Sequence, residues 1–288
     1  MFVIIGLVVV FGSILVGYMM HGGQIGVLIQ INEFIILGGA GLGSMLVANP
    51  LPAVMKTVKA VIGLLKGNPY TKDKYMELLK MLYDLFLMAR REGMVSLDQH
   101  VEHPHESKFF SQYPFFHAHH HATAFLADTM KVVVTGSVAP QDLESMMDSD
   151  LDVMKEEEEH PSHIMQTVGD AMPAFGIVAA VLGIVITMGK IGGDPKVIGH
   201  SVGAALVGTF LGILLAYGVF APIATALGGA VRAQMQYMNC IKSALLSFSR
   251  GDAPMTCVEY ARRNIEPDAR PSFNDMETGC KNAQAKAA

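Results

Sequence analysis

The sequence predicts an all-α membrane protein, with four transmembrane helices in two hairpins and a large helical segment inserted between them. Three observations predict it. The 288 residues are 51% hydrophobic and only 16% charged, where roughly a quarter charged is usual for a soluble domain. Four tracts, 1–33, 33–56, 170–190 and 196–232, carry no Asp, Glu, Lys or Arg between their bounding residues. Each is long enough to cross a bilayer, which takes about 20 residues. None shows the polar face that a helix of a soluble bundle needs.

The spans fall at about 2–20, 34–52, 171–190 and 201–221. The first tract stands where a signal peptide would. It lacks a basic n-region, and no clear small-x-small cleavage site follows Met20, so it is read as a retained helix. Lysine and arginine near the span ends set the orientation. Lys56, Lys59 and Lys66 follow the second span, and Arg232 and Lys242 follow the fourth. The connection between the first two spans has neither residue type, and that between the last two has only Lys190 and Lys196. Both large polar segments and both termini are therefore expected in the cytoplasm. The expected divisions are a first hairpin over 1–52, a cytoplasmic helical insertion over 53–170, a second hairpin over 171–221, and C-terminal cytoplasmic helices with an unstructured tail over 222–288.

Within the insertion, Leu78, Leu79, Leu82, Leu85, Phe86, Met88 and Ala89 recur with a helical period, and Gly93 ends that helix. A capped short helix is expected before Pro104, and another up to Gly136. A long helix from Pro140 leads towards span three. Pro161 either bends it or sits in a first turn after a break. Pro173, at the front of "DAMPAFGIVAAVLG", reads as the first turn of span three, where its missing N–H costs little. After Pro222 a helix continues to Leu246, and a shorter one covers 256–264.

The formal charge of −5 and the lack of a basic stripe argue against a nucleic-acid partner. Cys240, Cys257 and Cys280 have no metal-ligand spacing and are expected to be ordinary thiols in a reducing compartment. His117, His119, His120 and His121 crowd together after His100, His103 and His105. On one helix His117 and His121 would share a face and could hold zinc or nickel. No cysteine or HExxH context supports a site, so no metal is assigned. There is no phosphate-binding loop and no nucleophile elbow. No cofactor and no enzymatic activity are expected.

Small residues punctuate the last two spans: Gly176, Ala180 and Gly183 in one, Gly199, Gly203, Gly208 and Gly212 in the other. Such spacing lets helices approach closely, within the chain or against other subunits. Thr209 is the main hydroxyl of span four; alone it is weak, since such a threonine often bonds its own helix. No span carries an acid or a base in its middle. A proton-driven machine generally needs an ionisable group there. If the chain conducts ions, the titrating carboxylate should therefore come from a second protein.

Over its whole length the chain resembles the MotA family, the larger membrane subunits of bacterial flagellar stators. The resemblance rests on the four spans, the insertion after the second, and the blocks "DAMPAFGIVAAVLG", "VGTFLGILLAYGVFAP", "GDAP" and "RPSF". It implies a homo-oligomeric ring of five subunits around a MotB-like dimer in the bacterial inner membrane. The partner would supply the proton-binding aspartate and a peptidoglycan anchor, and inward proton flow would be coupled to torque on the rotor protein FliG. By the same resemblance Pro173 and Pro222 couple proton movement to conformational change. Thr209 lines the ion route, and Ala180 is the small residue typical of proton-driven members. Arg90 and Asp98 engage the rotor, with Asp98 standing where some members carry glutamate. Arg91 and Glu92 could join that surface. Without the resemblance these charges read as a solvated helix face. An ExbB- or TolQ-like transducer is the rival, though such proteins typically have three spans. A non-conducting scaffold is the alternative of another class; it predicts normal proton flux after replacement of Thr209 or Pro173.

Overall fold

A computed structural model describes residues 2–136 and 138–287, and every regular element among them is a helix. In chain order these are α1 (Phe2–Met20), α2 (Ile25–Leu28), α3 (Ile31–Ala48), α4 (Leu51–Gly63), α5 (Lys72–Glu92), α6 (Asp98–Glu102) and α7 (Pro114–Ala118). They continue as α8 (His120–Thr135), α9 (Pro140–Met188), α10 (Pro195–Leu215), α11 (Ala221–Ser249), α12 (Pro254–Arg263) and α13 (Phe273–Ala287). A single π turn, Ala216–Phe220, joins α10 to α11. Four helical stretches are long and apolar enough to cross a membrane: Val3–Met20, Ile25–Ala48, Pro140–Met188 and Pro195–Ser249.

Two compact units form. One holds residues 1–67 and 158–230, the other 68–157 and 231–288. Residues 53–67 and 158–170 thus pack with the apolar helices, and α9 and α11 each contribute to both units.

In the first unit α3 buries Glu33, Leu37, Gly41 and Met45, one residue every four. That spacing draws a single stripe along the helix. Leu37 meets Val207 and Leu211 of α10. Met45 joins Val54 of α4 and Ile164, Val168 and Met172 of α9. Pro50 and Pro52 start α4, where a proline sacrifices no helical hydrogen bond. Lys56 then pairs with Glu158 at 3.1 Å. The membrane stretch of α1 buries none of its residues within the chain.

The second unit is built on α5, whose buried face carries Leu78, Leu79, Leu82, Leu85, Phe86 and Ala89, as the periodicity requires; Met88 is half-buried. The Phe86 ring stacks on Phe248 of α11 with centroids 4.4 Å apart. Gly93 ends α5 at φ 89°, and Gly136 ends α8 at φ 63° in the left-handed region. Glycine reaches both at no steric cost.

Several expectations need correction. Pro173 does not start a helix. Both Pro161 and Pro173 lie inside the 49-residue α9, which runs unbroken from Pro140. Tertiary packing on both sides outweighs the one hydrogen bond each proline removes. The short helix before Pro104 begins without a side-chain cap, because the Ser96 hydroxyl donates to the Gly93 carbonyl instead. The final helix extends into the segment expected to be an unstructured tail; Ala288 lies outside the described residues. The histidine run is split at His119, so His117 and His121 belong to different helices.

Candidate functional site

The site is built where α9 crosses α10 with no side chain between the backbones. A Cβ on Gly176 would lie 2.8 Å from the Gly208 carbonyl oxygen and 3.2 Å from the Gly212 Cα. One on Gly212 would lie 2.6 Å from the Met172 carbonyl oxygen, and one on Gly183 2.6 Å from the Ala205 Cβ. Gly176, Gly183, Gly208 and Gly212 thus serve close approach inside the chain, where van der Waals packing holds membrane helices together, while Gly199 and Gly203 have open space around them.

Thr209 sits at this crossing, half-buried. Its hydroxyl points at the Gly176 carbonyl of α9, 3.5 Å away, and not at its own helix. At that distance the bond is weak. Thr187 and Ser13 behave otherwise, each donating within its own helix. Ala180 lies one turn beyond Gly176 and is 8% exposed. The crossing therefore gathers Thr209, Gly176 and the turn that carries Ala180.

The structure adds an acid. On sequence Glu33 reads as the edge of a span. It lies instead inside the second membrane element, Ile25–Ala48, and is buried. Its Oε2 has no hydrogen-bond partner. The carboxyl rests on Gly208, where an added Cβ would collide with Oε2. Glu33 stands in the first turn of α3, so it is buried near the start of that helix and not in its middle. A signal was present: Gly22 and Gly23 form a turn after α1, with Gly22 at φ 81°. The short α2 and a break at Ile29 and Gln30 follow that turn, which places Glu33 in the first turn of α3.

The two prolines meet a second crossing. Pro173 has no N–H to give to the Gly169 carbonyl four residues back. Gly169 lies against the π turn, where an added Cβ would stand 2.9 Å from the Phe220 Cβ. In that turn the Ala221 N–H donates to the Ala216 carbonyl, five residues back. Pro222 follows it as the second residue of α11 and is exposed. Single π turns recur at functional positions in helices, and no residue type in "LLAYGVFAP" announces one.

In the second unit Arg90 and Asp98 are both exposed. Arg90 lies in the last turn of α5 and donates to the Gly251 carbonyl at 2.9 Å. Asp98 opens α6 after the turn Met94–Leu97. Arg91 and Glu92 are exposed beside them, and among the described residues no ion pair involves any of the four. Nearby, burial lowers the pKa of His100, whose Nδ1 lies 2.9 Å from the Ser107 hydroxyl. The three cysteines are buried and unpaired, and burial pushes the Cys280 thiol up to about 12. His119 caps α8 by accepting from the Ala122 N–H and contacts the Tyr70 hydroxyl at 2.8 Å. Among the described residues no three His, Cys, Asp or Glu side chains converge to hold a metal.

Four apolar spans, a glycine-packed helix pair bearing a hydroxyl, and a separately cored helical unit define a polytopic membrane protein. Residues 4–93 match the model of the motility protein A N-terminal region, and residues 117–240 that of the MotA/TolQ/ExbB proton channel family. Motility protein A of Salmonella typhimurium is 39% identical over 277 residues, covering 96% of this chain and 94% of its own length. The chemotaxis protein LafT of Vibrio parahaemolyticus is 36% identical, covering 94% of each chain. A chain of the C. jejuni MotAB structure superposes with a TM-score of 0.75 at 20% identity, over 94% of this chain and 98% of that one. A chain of the flagellar MotAB stator complex of Bacillus subtilis gives 0.71 at 22% identity, over 89% and 92%. The chain belongs to the motility protein A family. It is a multi-pass inner-membrane subunit of a proton-driven, torque-generating stator.

Proposed function

We propose that the first unit carries the ion step of this stator and the second unit its contact with the rotor. Copies of the chain, five in number, surround a dimer of a MotB-like partner, with both termini and the second unit in the cytoplasm. The partner's acid takes the proton; Thr209 and the small Ala180 border the path by which it arrives. The observation that carries this reading is the Thr209 hydroxyl held weakly over the Gly176 carbonyl at a crossing with no intervening side chain.

Charge on the partner's acid alters its hydrogen-bond demands when it gains or loses a proton. Helices packed backbone to backbone respond to that change. Pro173 and Pro222 couple the response, since each weakens the backbone ladder next to the Gly169–Phe220 crossing. Arg90 and Asp98 then present their charges to FliG. Solvent exposure of both side chains supports that role.

The test is co-purification with the partner, reconstitution into liposomes, and flux under separate proton and sodium gradients. Proton flux that falls in Thr209→Val, with assembly intact, is expected. Sodium-only flux would sink the ion assignment, and undiminished proton flux in Thr209→Val would sink the role of the hydroxyl.

A further inference from the structure

Glu33 is the only Asp, Glu, Lys or Arg in the first 55 residues. It is 7% exposed and its Oε2 is unpartnered. The room it occupies exists because residue 208 is glycine. A Cβ there would run into Oε2 and would lie 2.9 Å from the Ala179 Cβ. Gly208 immediately precedes Thr209, and Ala179 immediately precedes Ala180. The carboxyl therefore lies against α10 where that helix packs on α9, next to the residue that precedes Thr209.

Among the described residues no counter-charge lies beside it on the helices it packs with. The rest of α3 and all of α2 have no ionisable side chain. The stretch of α9 between Asp170 and Lys190 has none. On α10 the only candidates are Lys196 and His200, at least two helical turns before Gly208. An isolated carboxylate removed from water costs several kcal/mol. Such a group persists in a membrane helix when it takes up a proton or a cation as part of its work.

We propose that Glu33 is a second proton site of the stator, contributed by this chain, from which the proton moves on along the route that Thr209 borders. The step makes and breaks only an O–H bond: the carboxylate takes a proton at Oε2 and returns to the carboxylate as the proton passes on. This rests on the proton-driven reading above, and it differs from that reading in placing an acid on the ring subunit as well as on the partner.

Infrared difference spectroscopy and proton flux on the complete complex in liposomes test it. Wild type should show the carbonyl stretch of a protonated carboxyl group that Glu33→Gln removes and Glu33→Asp shifts. Glu33→Gln complexes recovered with their partner at wild-type yield should conduct about tenfold less or worse, as when a positioned proton carrier is lost. Glu33→Asp should restore part of the flux. A carbonyl spectrum untouched by Glu33→Gln, or flux equal to wild type, overturns the proposal. If Glu33→Gln does not assemble, Glu33→Asp decides, with an unshifted band or unchanged flux as the contrary result. Sodium flux that depends on Glu33 would reassign the site to sodium and overturn it also. A wild-type complex that conducts no protons would sink the stator reading instead, and the infrared band alone would then decide whether Glu33 holds a proton.

Discussion

The two units of this chain solve the burial of apolar side chains in opposite ways. The second unit places its large side chains inside: Phe86, Phe110, Phe116 and Tyr237 are all fully buried. The first unit leaves them outside, with Val47 91% exposed and Val8 65% exposed, and uses glycine where its helices touch. Water drives the first arrangement, through the free energy of hiding apolar area. In lipid there is no such drive between helices, so close backbone packing takes its place. The same residue types therefore carry opposite meanings in the two halves. An exposed valine is ordinary in the first unit, and glycines such as Gly176, Gly208 and Gly212 are contacts there.

The largest effect that would sharpen this contrast is Phe86→Ala. Loss of a fully buried, stacked ring typically costs about 3–5 kcal/mol. Its readout is thiol labelling, because Cys240, Cys257 and Cys280 are shielded in the native unit and only the thiolate reacts readily. Labelling of the variant should be faster than wild type; equal rates would mean that the ring stack does not hold that core. Gly212→Val comes next. Its side chain would enter space held by the Met172 carbonyl and the Gly176 backbone. Overpacking of this kind costs about 1–3 kcal/mol, and the level of assembled complex in membranes should drop. Gly43→Ala, with nothing near the added Cβ, should leave that level unchanged. A shared loss would break the distinction between contact and non-contact glycines.

A smaller effect concerns pH. His100 has a lowered pKa in the folded unit because burial disfavours its charged form. The unfolded chain then binds more protons, so this contribution is present above the ordinary histidine pKa and is lost as pH falls through it toward the folded value. Thermal stability should decline below about pH 6.5, the unperturbed histidine value, and the decline should be shallower in His100→Gln. Matching slopes in the two proteins would remove His100 from the account.

How far the sequence revealed these features depends on how local their causes are. Helix α5 was legible because its period and Gly93 agree on one answer. Gly136 marked the end of α8 for the same reason. Pro173 was misread because proline chemistry points to a helix start, while the surrounding packing carries α9 straight through it. Glu33 was placed at a membrane edge because a charge normally bounds a span; its burial depends on Gly208, more than a hundred residues away in sequence. The acceptor of Thr209 was illegible too, since a threonine can bond its own helix or a neighbour and only the crossing decides. His119 looked like a candidate ligand and serves as a helix cap. The family resemblance thus marked Thr209, Pro173, Pro222 and Arg90, while the Gly176 carbonyl facing Thr209 and the Gly251 carbonyl facing Arg90 had to come from the fold.

The central claim is a division of labour, with ion movement in the first unit and rotor contact in the second. One paired measurement tests it most directly: proton flux through reconstituted complexes carrying Thr209→Val or Arg90→Glu, beside the torque each gives in cells at matched stator abundance. The account predicts that Thr209→Val lowers flux and torque together. It predicts that Arg90→Glu lowers torque while flux stays at the wild-type level. Flux lost equally in both variants, or torque unchanged in Arg90→Glu, would contradict it.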